Sequence, residues 1–168
     1  TPFFIISNNG VLHVNQVNLD RDPPNFSKLR FQVVAREVKG NAASSPLSIT
    51  VNLNDINDNS PKLALIPPVL IMAGNERRLI VKANATDNDS DENAEITYSI
   101  HHVSNNGMKK FFIDARTGDI EVIAKMVAGE RYSITVQASD IGNLFSQAIV
   151  EVTVIPGPNT KPPKFLKT

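Results

Sequence analysis

The strongest constraint on the fold is a repeated alternation of apolar and polar side chains in short runs. Residues 31–35, 48–53 and 132–137 are examples. Because successive side chains of a β-strand point to opposite faces of a sheet, such runs bury one face and expose the other. Turn-forming dipeptides, including Asn106-Gly107 and Thr117-Gly118, separate the runs. No long segment combines helical periodicity with helix caps, so the sequence predicts an all-β sandwich.

An internal repeat divides the chain. Residues 3–5 followed by Gly10 recur as residues 111–113 followed by Gly118, and residues 34–37 recur as residues 137–140. Residues 61–110 precede the second copy and have no counterpart before the first. Half a sandwich would expose unpaired strand edges, so we expect that chain before Thr1 was trimmed or went unobserved.

This repeat predicts three regions. Residues 1–60 are expected to be the C-terminal half of one repeat with its linker. Residues 61–155 are expected to form a complete repeat, and residues 156–168 a second linker with the start of the next repeat. The run 63–72, which contains Pro67 and Pro68, is interpreted as a first strand interrupted by prolines, and the alternative is an adhesive apolar patch.

Composition excludes several functional classes. The chain has 168 residues with 17 Lys and Arg against 17 Asp and Glu, so it has no basic surplus for nucleic acid. Cysteine is absent, which removes disulfides, zinc thiolates and cysteine nucleophiles. The sequence contains no G-x-S-x-G, phosphate-binding glycine loop or H-E-x-x-H motif. We therefore expect no enzyme, no nucleic-acid partner and no small-molecule substrate.

Carboxylates are concentrated in predicted loops and at the boundary between the repeats. If successive sandwiches join end to end, loops at the far end of one meet loops at the near end of the next. The acids expected to converge are Asp20, Asp22, Asp55, Asp58, Asp87, Asp89 and Asp140. Seven like charges in a small volume repel strongly, and a hard divalent cation would resolve the conflict.

Calcium is the expected ion, because it accepts about six to eight oxygen ligands in irregular geometry whereas magnesium demands an octahedron. Zinc would favour Cys or His, and His13, His101 and His102 lie outside the acidic elements. The alternative for residues 54–61 is a simple turn, since Asn and Asp are common turn residues.

An EF-hand beginning at Asp87 is excluded. Its sixth position should be Gly and is Glu92, and its twelfth should be Glu and is Tyr98. The flanking segments are also typical of strands and not of helices.

Taken in order, these elements resemble the ectodomain repeats of the cadherin superfamily. Residues 55–61 match the family's D-x-N-D-N-x-P linker, residues 19–22 resemble L-D-R-E with a final Asp, and residues 85–89 contain a D-x-D element. Residues 138–140 resemble A-x-D, and residues 111–118 resemble the fold signature F-x-I-D-x-x-T-G. The resemblance implies tandem seven-strand Greek-key sandwiches joined end to end, in the extracellular part of a plasma-membrane protein whose transmembrane segment lies elsewhere.

The resemblance also implies up to three calcium ions at the first linker. Two ions nearer the first domain would be held by Asp20, Asp22, Asp55, Asp58, Asp89 and the carbonyl of Ile56. The third would be held by Asn57, Asp87, Asp89, Asp140 and the carbonyls of Asn59 and Asn93. The family's early Glu would lie before Thr1, which would leave two of these sites incomplete.

The far end of the second repeat departs from the family pattern. Met72 stands where the early Glu is expected, and residues 125–129 read Lys-Met-Val-Ala-Gly where L-D-R-E is expected. Residues 157–163 read Gly-Pro-Asn-Thr-Lys-Pro-Pro in place of the linker motif, and Lys161 adds positive charge. We predict that the second linker binds no calcium and is either bendable or stiffened only by packing and prolines.

These observations predict a calcium-dependent cell-adhesion segment that acts as a rigid extracellular rod. The alternatives are a protein-binding module of an adhesion receptor and a bacterial cadherin-like adhesin. Tryptophan is absent, whereas strand-swapping cadherins use an anchoring Trp, so the chain resembles the long cadherins and protocadherins. Residues 19–24 are similar to tip-link protocadherins. The expected partners are neighbouring cadherin repeats and other cadherin chains in cis or trans.

Three N-x-S/T tripeptides mark candidate glycosylation sites. Asn25 lies in a predicted loop, and Asn84 is the second candidate. Asn88 lies inside the predicted calcium motif, so we expect it to carry no glycan.

Overall fold

The computed structural model describes residues 3–15 and 19–158. The chain divides into two compact units, Thr1–Asn57 and Asp58–Thr168. Residues 159–168, which include most of the predicted second linker and Lys161, lie outside the described residues. In the described part, regular structure consists of β-strands and two short 3-10 helices, so the all-β prediction is confirmed. No helix in that part is long and apolar enough to cross a membrane.

The described residues of the first unit form two antiparallel strand pairs. Strand β1 (Phe4–Ile6) pairs with β2 (Leu12–Val14), and β3 (Lys28–Val33) pairs with β4 (Leu47–Asn52). Burial alternates along β3, as expected for a sheet with one solvated face.

The first unit has an apolar face open to solvent. None of its described residues is buried. The rings of Phe4 and Phe31 stack with centroids 5.3 Å apart, and they line a groove of about 580 Å³ together with Ile5, Ile6 and Leu12. Ile5 and Ile6 remain 46% and 50% exposed, so this face lacks the opposing layer that a sandwich normally supplies.

Residues 58–158, the described part of the second unit, form seven strands, two of which are interrupted. Its strand segments are β5 (Lys62–Leu63), β6 (Val69–Met72), β7 (Arg78–Lys82), β8 (Ala85–Thr86), β9 (Thr97–Val103), β10 (Phe111–Ile113), β11 (Asp119–Val122), β12 (Arg131–Ser139) and β13 (Phe145–Ile155). Segments β5 and β6 form the first strand, broken at Pro67 and Pro68 as predicted, since proline cannot donate to a ladder. Segments β7 and β8 form the second strand, broken at residues 83 and 84.

Two sheets form the sandwich of the second unit. One has the order β6-β13-β12-β9 and the other the order β10-β11-β7, while β5 pairs with β8. Strand β6 runs parallel to β13, and the other pairs are antiparallel. The proline break therefore lets the first strand pair with β8 at one end and with β13 at the other.

The core lies between these sheets and follows the predicted alternation. Along β12, Tyr132, Ile134, Val136 and Ala138 are all buried. Val150 and Val152 pair with Ile134 and Tyr132 from β13 of the same sheet. Ile120 and Val122 belong to β11 of the other sheet, and all four of these residues are at most 1% exposed. Because the alternation continues past the strand, Asp140 is also brought to the inner side, at the end of the core.

A tight turn joins β10 to β11 and explains the F-x-I-D-x-x-T-G signature. The Asp114 carboxylate accepts hydrogen bonds from the backbone N–H groups of Thr117 and Arg116, both at 2.9 Å. These bonds lower the pKa of Asp114. Gly118 follows at φ +73°, and a side chain there would collide with the carbonyl oxygen of Ala83.

Candidate metal centre

Three carboxylates predicted to bind calcium lie together at one end of the second unit. Asp87 and Asp89 follow β8, and Asp140 follows β12. Their ligand oxygens all lie within 4.8 Å of one another. Asp89 and Asp140 are each only 7% exposed, and they are the polar residues found among the buried side chains of this part of the chain. Carboxylates this close and this buried are unfavourable unless a positive charge compensates them.

The loops hold these carboxylates in place through backbone hydrogen bonds. The N–H of Asn59 donates to both carboxylate oxygens of Asp89, at 3.3 and 3.2 Å, and its side-chain amide donates to Oδ1 of Asp89 at 2.7 Å. The N–H of Asp89 donates to Oδ1 of Asp87 at 3.0 Å, and the N–H of Leu144 donates to Oδ1 of Asp140 at 2.9 Å. The amide of Asn59 thus places the end of the predicted linker against the cluster.

One oxygen of the cluster indicates what the site can hold. Oδ2 of Asp87 is buried and has no hydrogen-bond partner among the described residues. Buried carboxylate oxygens are normally hydrogen-bonded or bound to a metal. Since the surrounding ligands are carboxylate and amide oxygens, the residues fit a hard cation such as calcium and not zinc.

A second acidic group lies in the first unit. Oxygens of Asp22 and Asp55 lie within 4.8 Å of each other, and Oδ1 of Asp20 accepts from the N–H of Asp22 at 2.8 Å. Nη1 of Arg21 forms an ion pair with Oδ1 of Asp55 at 2.8 Å, and both side chains are largely buried. Sequence reasoning missed this ion pair, although the Arg of residues 19–22 was the available signal.

The other predicted ligands lie in or next to the linker. The side chain of Ile56 is 73% exposed, so only its carbonyl is relevant. Asn57 is half-buried, and Asp58 accepts from the side-chain amide of Asn59 at 3.1 Å. Asn93 lies in the 3-10 helix Asp91–Ala94, where its N–H donates to the carbonyl of Ser90 at 3.2 Å.

Both glycosylation candidates are accessible. The side chains of Asn25 and Asn84 are exposed. Asn25 lies in a turn in which its N–H donates to the carbonyl of Asp22 at 2.7 Å, and Asn84 lies between β7 and β8. Asn88 is exposed as well, so accessibility alone does not separate it from the other two.

The opposite end of the second unit holds a carboxylate that has a cation from the protein. Oε1 of Glu130 accepts from Nζ of Lys110 at 2.7 Å, and Oε2 accepts from the N–H of Val127 at 2.8 Å. Lys110 also donates to the hydroxyl of Tyr132 at 2.6 Å. The bond with Lys110 and that with Val127 lower the pKa of Glu130, and the bonds with Glu130 and Tyr132 raise the pKa of Lys110.

Comparison with known proteins agrees with the motifs. Residues 72–155 match the family model described as Cadherin domain. The chain is 60% identical over 169 residues to Cadherin-99C of Drosophila melanogaster, covering 99% of this chain and 10% of that protein. It is 32% identical over 163 residues to Protocadherin-11 X-linked of Homo sapiens, covering 90% of this chain and 12% of that protein. The chain therefore spans about a tenth of the length of these relatives.

A solved structure shows the same fold. The structure of Protocadherin Gamma B7 extracellular cadherin domains 1-4 is similar with a TM-score of 0.72 at 25% identity. The similarity covers 94% of this chain and 40% of that one. The similar region thus belongs to a tandem array of domains in that protein.

Proposed function

Because the chain belongs to the cadherin family, we propose that it is an extracellular segment of a cell-adhesion protein in which calcium joins two successive repeats into a stiff rod. Cadherin domains are adhesion modules and not enzymes, in agreement with the lack of catalytic motifs. The observation that carries the proposal is the buried cluster of Asp87, Asp89 and Asp140, in which one oxygen of Asp87 has no hydrogen-bond partner among the described residues.

The proposed ligands are those implied by the family motifs. They are Asp20, Asp22, Asp55, Ile56, Asn57, Asp58, Asn59, Asp87, Asp89, Asn93 and Asp140, with Ile56, Asn59 and Asn93 acting through their carbonyls. When bound, up to three calcium ions would supply six positive charges against seven carboxylates, so the linker would be nearly neutral. Ions that share ligands from both repeats would make the joint stiff when loaded and mobile when empty.

The proposed domain assignment is residues 1–60 as the C-terminal half of a repeat, residues 61–155 as a complete repeat, and residues 156–168 as a second linker with the start of the next repeat. The open apolar face of the first unit supports the first part, because half a sandwich leaves its inner face uncovered. Location outside the cell suits the chemistry, since extracellular calcium modules bind at about 10⁻⁴ to 10⁻³ M.

The second linker is proposed to be free of calcium. At the end of the unit where β13 stops, the carboxylate of Glu130 is already paired with Lys110 and bonded to the N–H of Val127. The partners proposed for the segment are neighbouring cadherin repeats, and other cadherin chains in cis or trans.

A calcium titration followed by thermal melting tests the proposal. The melting temperature should rise with calcium in the millimolar range, and Asp89→Asn should remove most of the rise, because it weakens a buried oxygen ligand that is held by Asn59. At calcium ten times the Kd, binding to one site stabilises the folded state by about 1.4 kcal/mol. Glu151→Gln, a change on the exposed face of β13, is the control and should keep the full rise. If the melting temperature of Asp89→Asn rises with calcium as much as that of the unchanged protein, Asp89 is not a calcium ligand and the assignment is wrong.

A further inference from the structure

The far end of the second unit, defined as residues 73–78, 105–110 and 123–131, is basic. Its segments lie against one another: Gly74 and Met126 exchange backbone hydrogen bonds of 3.1 and 2.8 Å, and the amide of Asn105 donates to the carbonyl of Arg131 at 2.7 Å. Acidic residues in it are Glu76 and Glu130. Basic residues in it are Arg77, Arg78, Lys109, Lys110, Lys125 and Arg131.

Half of these cations are engaged within the unit. Lys110 pairs with Glu130. Arg77 pairs with Glu121 at 2.5 Å and lies over the ring of Phe112, and Arg78 donates to the carbonyl of Met72.

The other three cations are available to a partner. Lys109, Lys125 and Arg131 are exposed, and none of them takes part in the ion pairs formed among residues 3–15 and 19–158. Of the two acids at this end, Glu130 is already neutralised by Lys110, and Glu76 can offset only one of the three cations. The far end therefore presents uncompensated positive charge.

The near end of the same unit, defined as residues 58–62, 87–95 and 140–144, has the opposite charge. Its only base is Lys62. Its acids are Asp58, Asp87, Asp89, Asp91, Glu92, Glu95 and Asp140. The nine residues of β12 separate the two ends by about 30 Å. Since this exceeds the screening length of about 8 Å at physiological salt, each end acts mainly on its own neighbour.

The chain leaves the unit at the basic end. Strand β13 ends at Ile155, whose carbonyl accepts from the N–H of Ala73 at 2.8 Å. The carbonyl of Val154 accepts from the N–H of Gly129 at 2.8 Å. Chain continuing beyond this point therefore starts at the basic surface, whereas the chain enters the unit at its acidic end.

We propose that the far end docks the acidic end of the following domain through Lys109, Lys125 and Arg131, so that side-chain cations do at this joint what calcium does at the preceding one. This rests on the proposed function, which takes successive repeats to be joined end to end. A following domain with the polarity of the second unit would present carboxylates to this surface. Exposed ion pairs are individually weak and are screened by salt, so the joint should respond to ionic strength and not to calcium.

The test uses the chain together with its naturally following domain. The absence of Cys from the chain allows single cysteines to be introduced for dye labelling on either side of each joint. Single-molecule energy transfer then reports the spread of distances across the joint. The far joint is the junction between the far end of the second unit and the following domain. Its distribution of dye-to-dye distances should be unchanged by a calcium chelator and should widen at least twofold when NaCl is raised from low salt to 1 M.

Charge reversal sharpens the test. The triple change Lys109→Glu, Lys125→Glu and Arg131→Glu should give the wide spread already at low salt and abolish the salt response. Arg116→Glu, which changes an exposed residue of the β10–β11 turn, is the matched control and should behave as the unchanged protein. An unchanged thermal melt of the second unit shows that a variant is folded.

The proposal is overturned if neither salt nor charge reversal alters the spread of distances across the far joint, or if the chelator widens that spread. The first joint, measured in the same molecules, separates the two claims. Failure of the first joint to respond to the chelator would overturn calcium stiffening while leaving the result at the far joint intact.

Discussion

Strand β12 has a carboxylate just beyond each of its ends, and the two have different surroundings. Glu130 and Asp140 both continue the alternation that buries Tyr132, Ile134 and Val136. Asp140 lies beside two further carboxylates. Glu130 lies beside an ammonium group and a backbone N–H. The same strand thus ends beside a group of three carboxylates at one end and beside a carboxylate paired with a lysine at the other.

The difference shows how a sandwich can vary its joints without changing its core. Alternate side chains of β12 lie on the inner side of the sandwich from Glu130 through to Asp140. The strand pattern therefore does not distinguish the two ends. The connecting segments do: the near end receives Asp87 and Asp89 after β8, and the far end receives Lys110 as the last residue of the 3-10 helix Gly107–Lys110. Under the proposed function, sensitivity to calcium is therefore set by the segments between strands and can change by a few substitutions.

Removal of calcium should produce the largest difference between the two ends of the second unit, measured as the rates at which their amide hydrogens exchange. The amide hydrogens of Asn59, Asp89 and Leu144, which donate to the carboxylate cluster, should exchange with solvent about tenfold faster in a chelator than at calcium ten times the Kd. The amides of Val127 and Gly129 should keep their rates. Hydrogen exchange followed by NMR measures both sets at once. Equal acceleration at both ends would show that calcium stabilises the whole unit and would contradict the difference between its ends.

Loss of the internal cation should have a smaller effect, confined to the far end. Lys110→Met should lower the free energy of unfolding by about 1 kcal/mol, because it removes the charged partner of Glu130. The pair is about a quarter exposed, so solvent screening limits the loss. Urea unfolding with and without calcium measures it.

The matched variants Glu130→Gln and Lys110→Met with Glu130→Gln complete a double-mutant cycle. The coupling should be the same in calcium and in chelator. A coupling that appears only without calcium would mean that a metal ion also reaches Glu130.

Lowering the pH should produce the smallest effect, which is the loss of the stability that Glu130 contributes. The pKa of Glu130 is lowered in the folded state, chiefly by its bond with Lys110 and then by that with Val127. Its contribution to stability is therefore fully present above the ordinary Glu value of about 4.3 and is lost as pH falls through the lower folded pKa. Urea unfolding between neutral pH and pH 2 should show the difference between the unchanged protein and Glu130→Gln shrinking in this window. A difference that stays constant down to pH 2 would contradict the pairing.

Much of the fold followed from the sequence because its determinants are local. Alternation identified β12 and the core it supplies, and the prolines at 67 and 68 identified the broken first strand. The acidic motifs identified Asp87, Asp89 and Asp140 because each one ends or follows a predicted strand, and strand ends on one side of a sandwich lie near one another.

Pairings between distant side chains could not be predicted. Lys110 and Glu130 are 20 residues apart and meet only because the 3-10 helix packs closely on Tyr132. Gly107 makes this approach possible, since a Cβ there would lie 2.7 Å from the ring of Tyr132. The pair of Arg21 and Asp55 likewise depends on how two separate segments meet. Periodicity fixes which face a residue occupies, and it does not fix which side chain lies opposite.

The parallel pairing of β6 with β13 has a mechanical consequence. The chain enters the second unit at the near end and leaves it at the far end, so tension along the proposed rod would pull these two strands in opposite directions along their length. Val69–Met72 and the C-terminal part of β13 are then loaded in shear, and their evenly spaced hydrogen bonds share the force instead of opening one after another. The terminal strands of this unit are thus arranged to resist stretching.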